Sequence, residues 1–264
     1  MSAHRLGLVS YLNTAPYRYG LRELGETDWA EAVPARLLPL MERGEVEAST
    51  LPAFDVLAHP ELLALPSCAI ASFGPALSVK LFSPIALRHV TSVALDTSSH
   101  TSAALARVAL AEMGAYPVFL DMPPDLEKML ASADAALLIG DPCMRADRPE
   151  ASATDLGQLW LDLTGAPFVF ALWAAPPGAD CAALDALVAR AKEIGMSHVE
   201  QVADLESARL GFGREEVLTY LRDHMRYDLD GPTRVGLEKF RKLLVKHGLI
   251  ADHGPLQYQL EDSA

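Results

Sequence analysis

Short runs of hydroxyl and amide side chains hold most of the chemistry this chain can offer. Ser10, Tyr11, Asn13 and Thr14 follow an apolar run at residues 6–9, and Ser49 and Thr50 end a second at 46–50. Ser78 stands in or beside a strand-like segment, and Ser98, Ser99, Thr101 and Ser102 precede an Ala/Leu-rich stretch. Four hydroxyls in five positions at a helix start suit a carboxylate or phosphate, because the free backbone N–H groups there already favour an anion. A simpler role stands beside it: one Ser or Thr is enough to cap the helix, worth about 1 kcal/mol. Asn13 is either a ligand contact or the anchor of an Asx turn. Asp141, at the end of the apolar run 135–139, is either a cap or a ligand-facing acid. Facing an anion, it would need a hydroxyl or water between them. His100, alone among the hydroxyls, is a weak acid–base candidate. Phe168 and Phe170 are core residues, or one of them lines the ligand site.

Several chemistries are excluded. Gly211-Phe-Gly213 lacks the spacing of a dinucleotide or phosphate loop and follows a helical stretch. There is no HExxH, no EF-hand loop and no GxSxG, and the eight histidines are scattered. Neither a bound metal nor a redox cofactor is expected. Cys68, Cys143 and Cys181 are far apart and odd in number, which points to a reducing compartment rather than to disulfides or zinc. With 35 acidic residues against 22 Lys plus Arg, the net charge is −13, which disfavours nucleic acid and anionic membrane surfaces. A small anion held by local donors is still compatible with that charge. The longest apolar stretch, residues 167–177, is too short to cross a bilayer, and the N-terminus lacks the apolar run of a signal peptide. The expectation is a soluble, cytoplasmic protein.

The elements that must position these residues follow from the apolar pattern. At 264 residues, 50% apolar and 22% charged, the chain can bury a large core. A strand at 6–9 leads through the polar loop and Pro16 into a helix ending near Leu24. A helix at 34–43, a strand at 46–50 and a helix at 52–63 follow, so two βα units in sixty residues predict a parallel sheet. Strands are expected at 69–73, 77–82, 91–95, 116–120, 135–139 and 168–175, with helices after Ser102 and around 124–130. Residues 146–156 are loop-like. The remainder is predicted as helices at 182–194, 204–210, 215–227 and 234–247, the last with Val235, Phe240, Leu243 and Leu244 on one apolar face. The class is α/β, with polar chemistry at strand ends where open sheets bind ligands.

Five blocks then carry a family resemblance: Val9-Ser-Tyr-Leu-Asn-Thr-Ala-Pro16, Ser78-Val-Lys-Leu-Phe-Ser83, Ala94-Leu-Asp96 with Ser99 through Ser102, Leu138-Ile-Gly-Asp141, and Thr164-Gly-Ala-Pro-Phe-Val-Phe-Ala171. In this order they resemble the chorismate dehydratases of the futalosine route to menaquinone, over nearly the whole chain. The resemblance implies a two-lobed, type II periplasmic-binding-protein-like fold with the ligand cleft between lobes. Lobe one would comprise 1–84 and 175–264, and lobe two 85–174. It also implies a hydro-lyase that removes water from chorismate to give 3-[(1-carboxyvinyl)oxy]benzoate without metal or cofactor, as a monomer or homodimer. Asn13 and Ser78 would be catalytic. Ser99, Thr101 and Ser102 would hold a substrate carboxylate, and Thr14, Ser49 and Thr50 would hold polar groups from lobe one. Ser10, Tyr11, His100, Asp141 and Phe168 complete the expected substrate contacts. Two other functions fit the same scaffold: a small-anion binding or sensing protein, and the sister 1,4-dihydroxy-6-naphthoate synthase. The opening Ser-Tyr-Leu-Asn run points away from the latter.

Overall fold

The computed structural model describes residues 4–258. Strand β1 (Leu6–Val9) is buried at every position, as four consecutive apolar residues require. A 3-10 turn (Leu12–Thr14) carries Asn13 and runs into α1 (Ala15–Glu23), whose first turn holds Pro16 where no N–H is needed. Then come β2 (Trp29–Ala32), α2 (Leu37–Glu42), β3 (Ala48–Pro52) and α3 (Ala53–Ala58). β1 pairs in parallel with both β2 and β3. The chain turns through β4 (Leu63–Ser72) and crosses to a second sheet at residues 73–78.

The second sheet is built from β5 (Val79–Ser83), β6 (Ser92–Asp96), α4 (His100–Glu112), β7 (Val118–Met122), α5 (Leu126–Ser132), β8 (Ala135–Ile139), α6 (Gly140–Arg145) and β9 (Ser152–Asp155). After α7 (Leu156–Thr164) the chain returns to the first sheet as β10 (Phe168–Ala175). The tail is α8 (Cys181–Ser197), α9 (Val199–Leu210), α10 (Arg214–Thr219), β11 (Met225–Asp228) and α11 (Gly231–Lys246). The six-stranded sheet has the order β11-β4-β10-β3-β1-β2, and the five-stranded sheet β7-β6-β8-β5-β9.

Two connections therefore join two sheets, the layout of a two-lobed protein. The expected limits of lobe two fall one strand late at both ends, because β5 belongs to the second sheet and β10 to the first. β10 lies antiparallel between β3 and β4. Its end Phe168 packs edge-to-face on Trp160 and Phe240, with centroids 5.2 and 4.9 Å away. On α11 the buried stripe is Leu237, Phe240 and Leu244, whereas Val235 is 54% exposed, so the expected apolar face is rotated. α1 lies backbone to backbone on α8: a Cβ at Gly20 would sit 1.8 Å from the carbonyl oxygen of Ala191.

The tail departs most from expectation. Residues 215–227, predicted as one helix, divide into α10, a π-helical turn (Tyr220–His224) and β11, which pairs with the edge of β4. The wider turn buries Tyr220 and Leu221 and leads directly into β11. Residues 146–156, predicted as loop, contain β9, an edge strand with half its residues exposed and no apolar alternation to announce it.

Candidate active site

Five of the sequence-predicted residues, Tyr11, Asn13, Ser78, Ser99 and Ser102, line one cavity between the two lobes. The 3-10 turn after β1 is fixed from inside lobe one. Thr14 Oγ1 donates to the carbonyls of Val9 (2.5 Å) and Tyr11 (3.1 Å). The buried Arg18 guanidinium donates to Thr14 Oγ1 (2.7 Å) and to Tyr11 O (3.2 Å), and is held in turn by Glu206. With its neighbours thus occupied, Asn13 projects alone. Its Oδ1 is buried and has no hydrogen-bond partner among the described residues.

Lobe two closes over this turn through direct bonds. Asp141, at the start of α6, accepts from Leu12 N–H at 2.9 Å, and its carboxyl is pushed above the usual range by burial. Tyr11 donates to Ser98 Oγ at 3.3 Å, and burial pushes its phenol up to about 12. The Tyr11 ring lies on Gly140, where φ is +65° and a Cβ would come within 2.6 Å of the ring. Ala35 N–H donates to Ser98 O, Phe54 N–H donates to Thr101 Oγ1 at 3.1 Å, and His100 Nδ1 meets the Asp55 carboxylate at 2.8 Å. That pairing holds the imidazole above its ordinary value. The lobes are latched shut around a cavity of about 40 Å³.

That cavity is lined by Tyr11, Asn13, Ser78, Ser99 and Ser102, with Pro34, Pro52, Val79, Ile139, Gly140, Phe170 and Met225. Ser99 caps α4, accepting from Ser102 N–H at 3.1 Å, which leaves its hydroxyl proton for a ligand. Among the described residues, no Asp, Glu, His, Lys or Arg lines the cavity. It offers the orphaned amide oxygen of Asn13 as an acceptor, and serine hydroxyls with a helix N-terminus as neutral donors suited to a small anion.

The other predicted contacts lie elsewhere. Ser49 donates to Gly7 O (3.1 Å), and Thr50 Oγ1 accepts from Val9 N–H (2.9 Å), so both hydroxyls are spent inside the first sheet. Thr14 is spent within its turn, and Thr101 and His100 join the lobes outside the cavity wall. Asp141 holds the Leu12 backbone rather than facing the cavity, and Phe168 is core while Phe170 takes the lining place. Ser10 is half-buried and outside the lining. Two tail residues were missed: Met225, in the lining, and Tyr220, hydrogen-bonded behind Ser78. Neither stands in a pattern that marks it.

A larger cavity of about 460 Å³ lies between α11 and residues 255–258, lined by apolar Leu57, Val235, Leu237 and Leu256 among others, and holds none of the predicted residues. Among the described residues no cluster of three or more His, Cys, Asp or Glu is placed for a metal ion, and no helix is long and apolar enough to cross a membrane.

The fold is of the periplasmic-binding-protein-like class. Over 94% of this chain and 98% of the other, protein AF1704 from Archaeoglobus fulgidus superposes with a TM-score of 0.74 at 16% identity. The periplasmic aliphatic sulphonate binding protein of Escherichia coli gives 0.66 at 15% identity, over 97% of this chain and 91% of that one. At these identities the likeness is one of fold. Sequence relationship is closer to home. The model of a family described as menaquinone biosynthesis matches residues 4–246, and the chorismate dehydratase of Thermus thermophilus is 37% identical across 92% of this chain and 96% of its own length. The chain belongs to that menaquinone biosynthesis family.

Proposed function

We propose that the protein is a chorismate dehydratase, a hydro-lyase forming 3-[(1-carboxyvinyl)oxy]benzoate and water. The carrying observation is the orphaned Oδ1 of Asn13 in a cavity of neutral donors, in a chain 37% identical to a named chorismate dehydratase. Loss of the C3 proton gives a carbanion conjugated through the C1–C2 alkene to the ring carboxylate. The C4–O bond then breaks, the ring becomes aromatic, and the departing hydroxide takes a proton to become water. Aromatisation drives the reaction, so the protein needs chiefly to orient and to exclude solvent.

Asn13 is an amide and no base, and no side chain of the lining is one at neutral pH. The C3 proton therefore goes to a carboxylate of the substrate itself or to a water, with Asn13 Oδ1 accepting from the group it positions. Ser99 and Ser102, with the N-terminus of α4, hold a carboxylate. Ser78 donates to a substrate oxygen. Because the latched cavity is small, substrate access requires the lobes to part and reclose.

The test is chorismate with purified protein and no added metal or nucleotide, the products resolved by mass. Loss of one water with appearance of an aromatic enolpyruvyl ether, at a rate proportional to enzyme, is the expected result. Chorismate bound but recovered intact would instead assign an anion receptor.

A further inference from the structure

Ser78 is aimed by its surroundings. It opens the second sheet immediately after the crossing, and the residue before it, Leu77, has φ of +61°, the one non-glycine positive φ among the described residues. That conformation costs a side-chain-bearing residue roughly 1–2 kcal/mol and persists only where other bonds enforce it. Here Asp155, from the end of β9, takes the N–H groups of Ala76 and Leu77 at 2.9 and 2.7 Å. The serine hydroxyl then has two protein neighbours: Ala76 O at 3.4 Å, the outer limit of a hydrogen bond, and the Tyr220 hydroxyl at 3.0 Å.

Tyr220 is 1% exposed, and Ser78 Oγ is the one hydrogen-bond partner of its hydroxyl among the described residues. Burial holds the phenol neutral well above its ordinary titration range. A buried phenol with a single partner places its proton there, since leaving a donor unmade costs more than leaving an acceptor lone pair unused. Ser78 Oγ thus accepts from Tyr220. Its own proton is then held within the protein only by the long contact to Ala76 O at 3.4 Å, which a substrate oxygen in the cavity can replace, and the bond behind it strengthens that donation.

We propose that Tyr220 is a positioning residue of the active site: its hydroxyl donates to Ser78 and so fixes the serine as a donor to a substrate oxygen that gains negative charge during the reaction. The proposal rests on the dehydratase reading and adds to it a polarity and a partner from the C-terminal tail. The π-helical turn places that partner, bringing a residue 142 positions along the chain to the back of Ser78.

The experiment compares wild type, Tyr220→Phe, Ser78→Ala and the double variant on chorismate. Tyr220→Phe keeps the ring that fills the core. It is expected to lower kcat about tenfold, less than loss of a directly contacting donor, with KM held within about twofold. In the Ser78→Ala background the same change should have no effect on kcat, because the phenol acts only through the serine. An unchanged kcat in Tyr220→Phe, or losses that multiply in the double variant, would overturn the proposal. As a second variant that leaves the fold alone, Tyr220 is replaced by 3-fluorotyrosine, a stronger donor of nearly the same shape. Its kcat should equal or exceed that of wild type, and a fall would overturn the assigned polarity. A wild type inactive on chorismate sinks the dehydratase reading and this proposal with it, whereas an active wild type with an indifferent Tyr220 sinks only the second.

Discussion

Asn13 carries a cost to folding that no protein group among the described residues offsets. A buried carbonyl oxygen without a partner loses its water and gains nothing in return, about 1–3 kcal/mol. Asn13→Ala is therefore expected to melt at the same temperature as wild type or slightly above it, while kcat on chorismate falls by about 10²–10³-fold. Normal kcat with a lowered Tm would make Asn13 a structural residue. His100 shows the opposite economy, since its bond to Asp55 lies outside the cavity and serves the closed shape. The pairing raises the imidazole above its ordinary 6.5, so the folded state holds the proton more tightly than the unfolded chain does. The contribution is complete below the unfolded value and disappears as pH climbs through the raised folded one. Wild type should thus exceed His100→Gln in Tm at about pH 6, with the difference gone by about pH 9. A gap that widened with pH would contradict a charged pair.

At the scale of elements, the crossing between sheets is the point where fold and site share a residue. Asp155 caps α7 through the N–H groups of Gly157 and Gln158 and also holds the turn at Ala76 and Leu77. Asp155→Ala removes all of these bonds and should cost about 2–4 kcal/mol in urea unfolding, with a kcat loss as Ser78 swings free. Stability lost with kcat intact would separate the turn from the chemistry. The βα units around β1 and β3 and the hydroxyl-rich start of α4 were legible because apolar runs and capping residues are local signals. Asn13, Ser99 and Ser102 stood out as polar residues at strand or helix ends, Ser78 was singled out as catalytic only by the family resemblance, and all four line the cavity. Ser49 and Thr50 look identical in sequence, yet their hydroxyls face a neighbouring strand, because pairing register decides which way a buried hydroxyl points. Tyr220 and Met225 were illegible because helical periodicity continues across them, and only tertiary packing converts that stretch into a π turn and a strand.

For the whole molecule, the central tension is a net charge of −13 around a site proposed to bind a dianion with neutral groups. Inside the cavity, serine hydroxyls and helix N–H groups act over hydrogen-bond distance, well within a Debye length, where dissolved salt screens them little. Outside it, the approaching anion meets a field that is repulsive on average and falls off over a Debye length, about 20 Å at 20 mM salt and about 7 Å at 200 mM. Capture and catalysis should respond to salt differently as a result. Raising sodium chloride from about 20 to about 200 mM is expected to increase kcat/KM on chorismate about two- to fivefold while leaving kcat unchanged. Measuring initial rates across that range, with a non-ionic osmolyte as control, separates the two terms. A kcat/KM that falls with salt would show that a local positive field governs approach. The arginines whose charges already reach Asp141, Arg18, Arg145 and Arg209, would then be the groups that draw the substrate to the cleft.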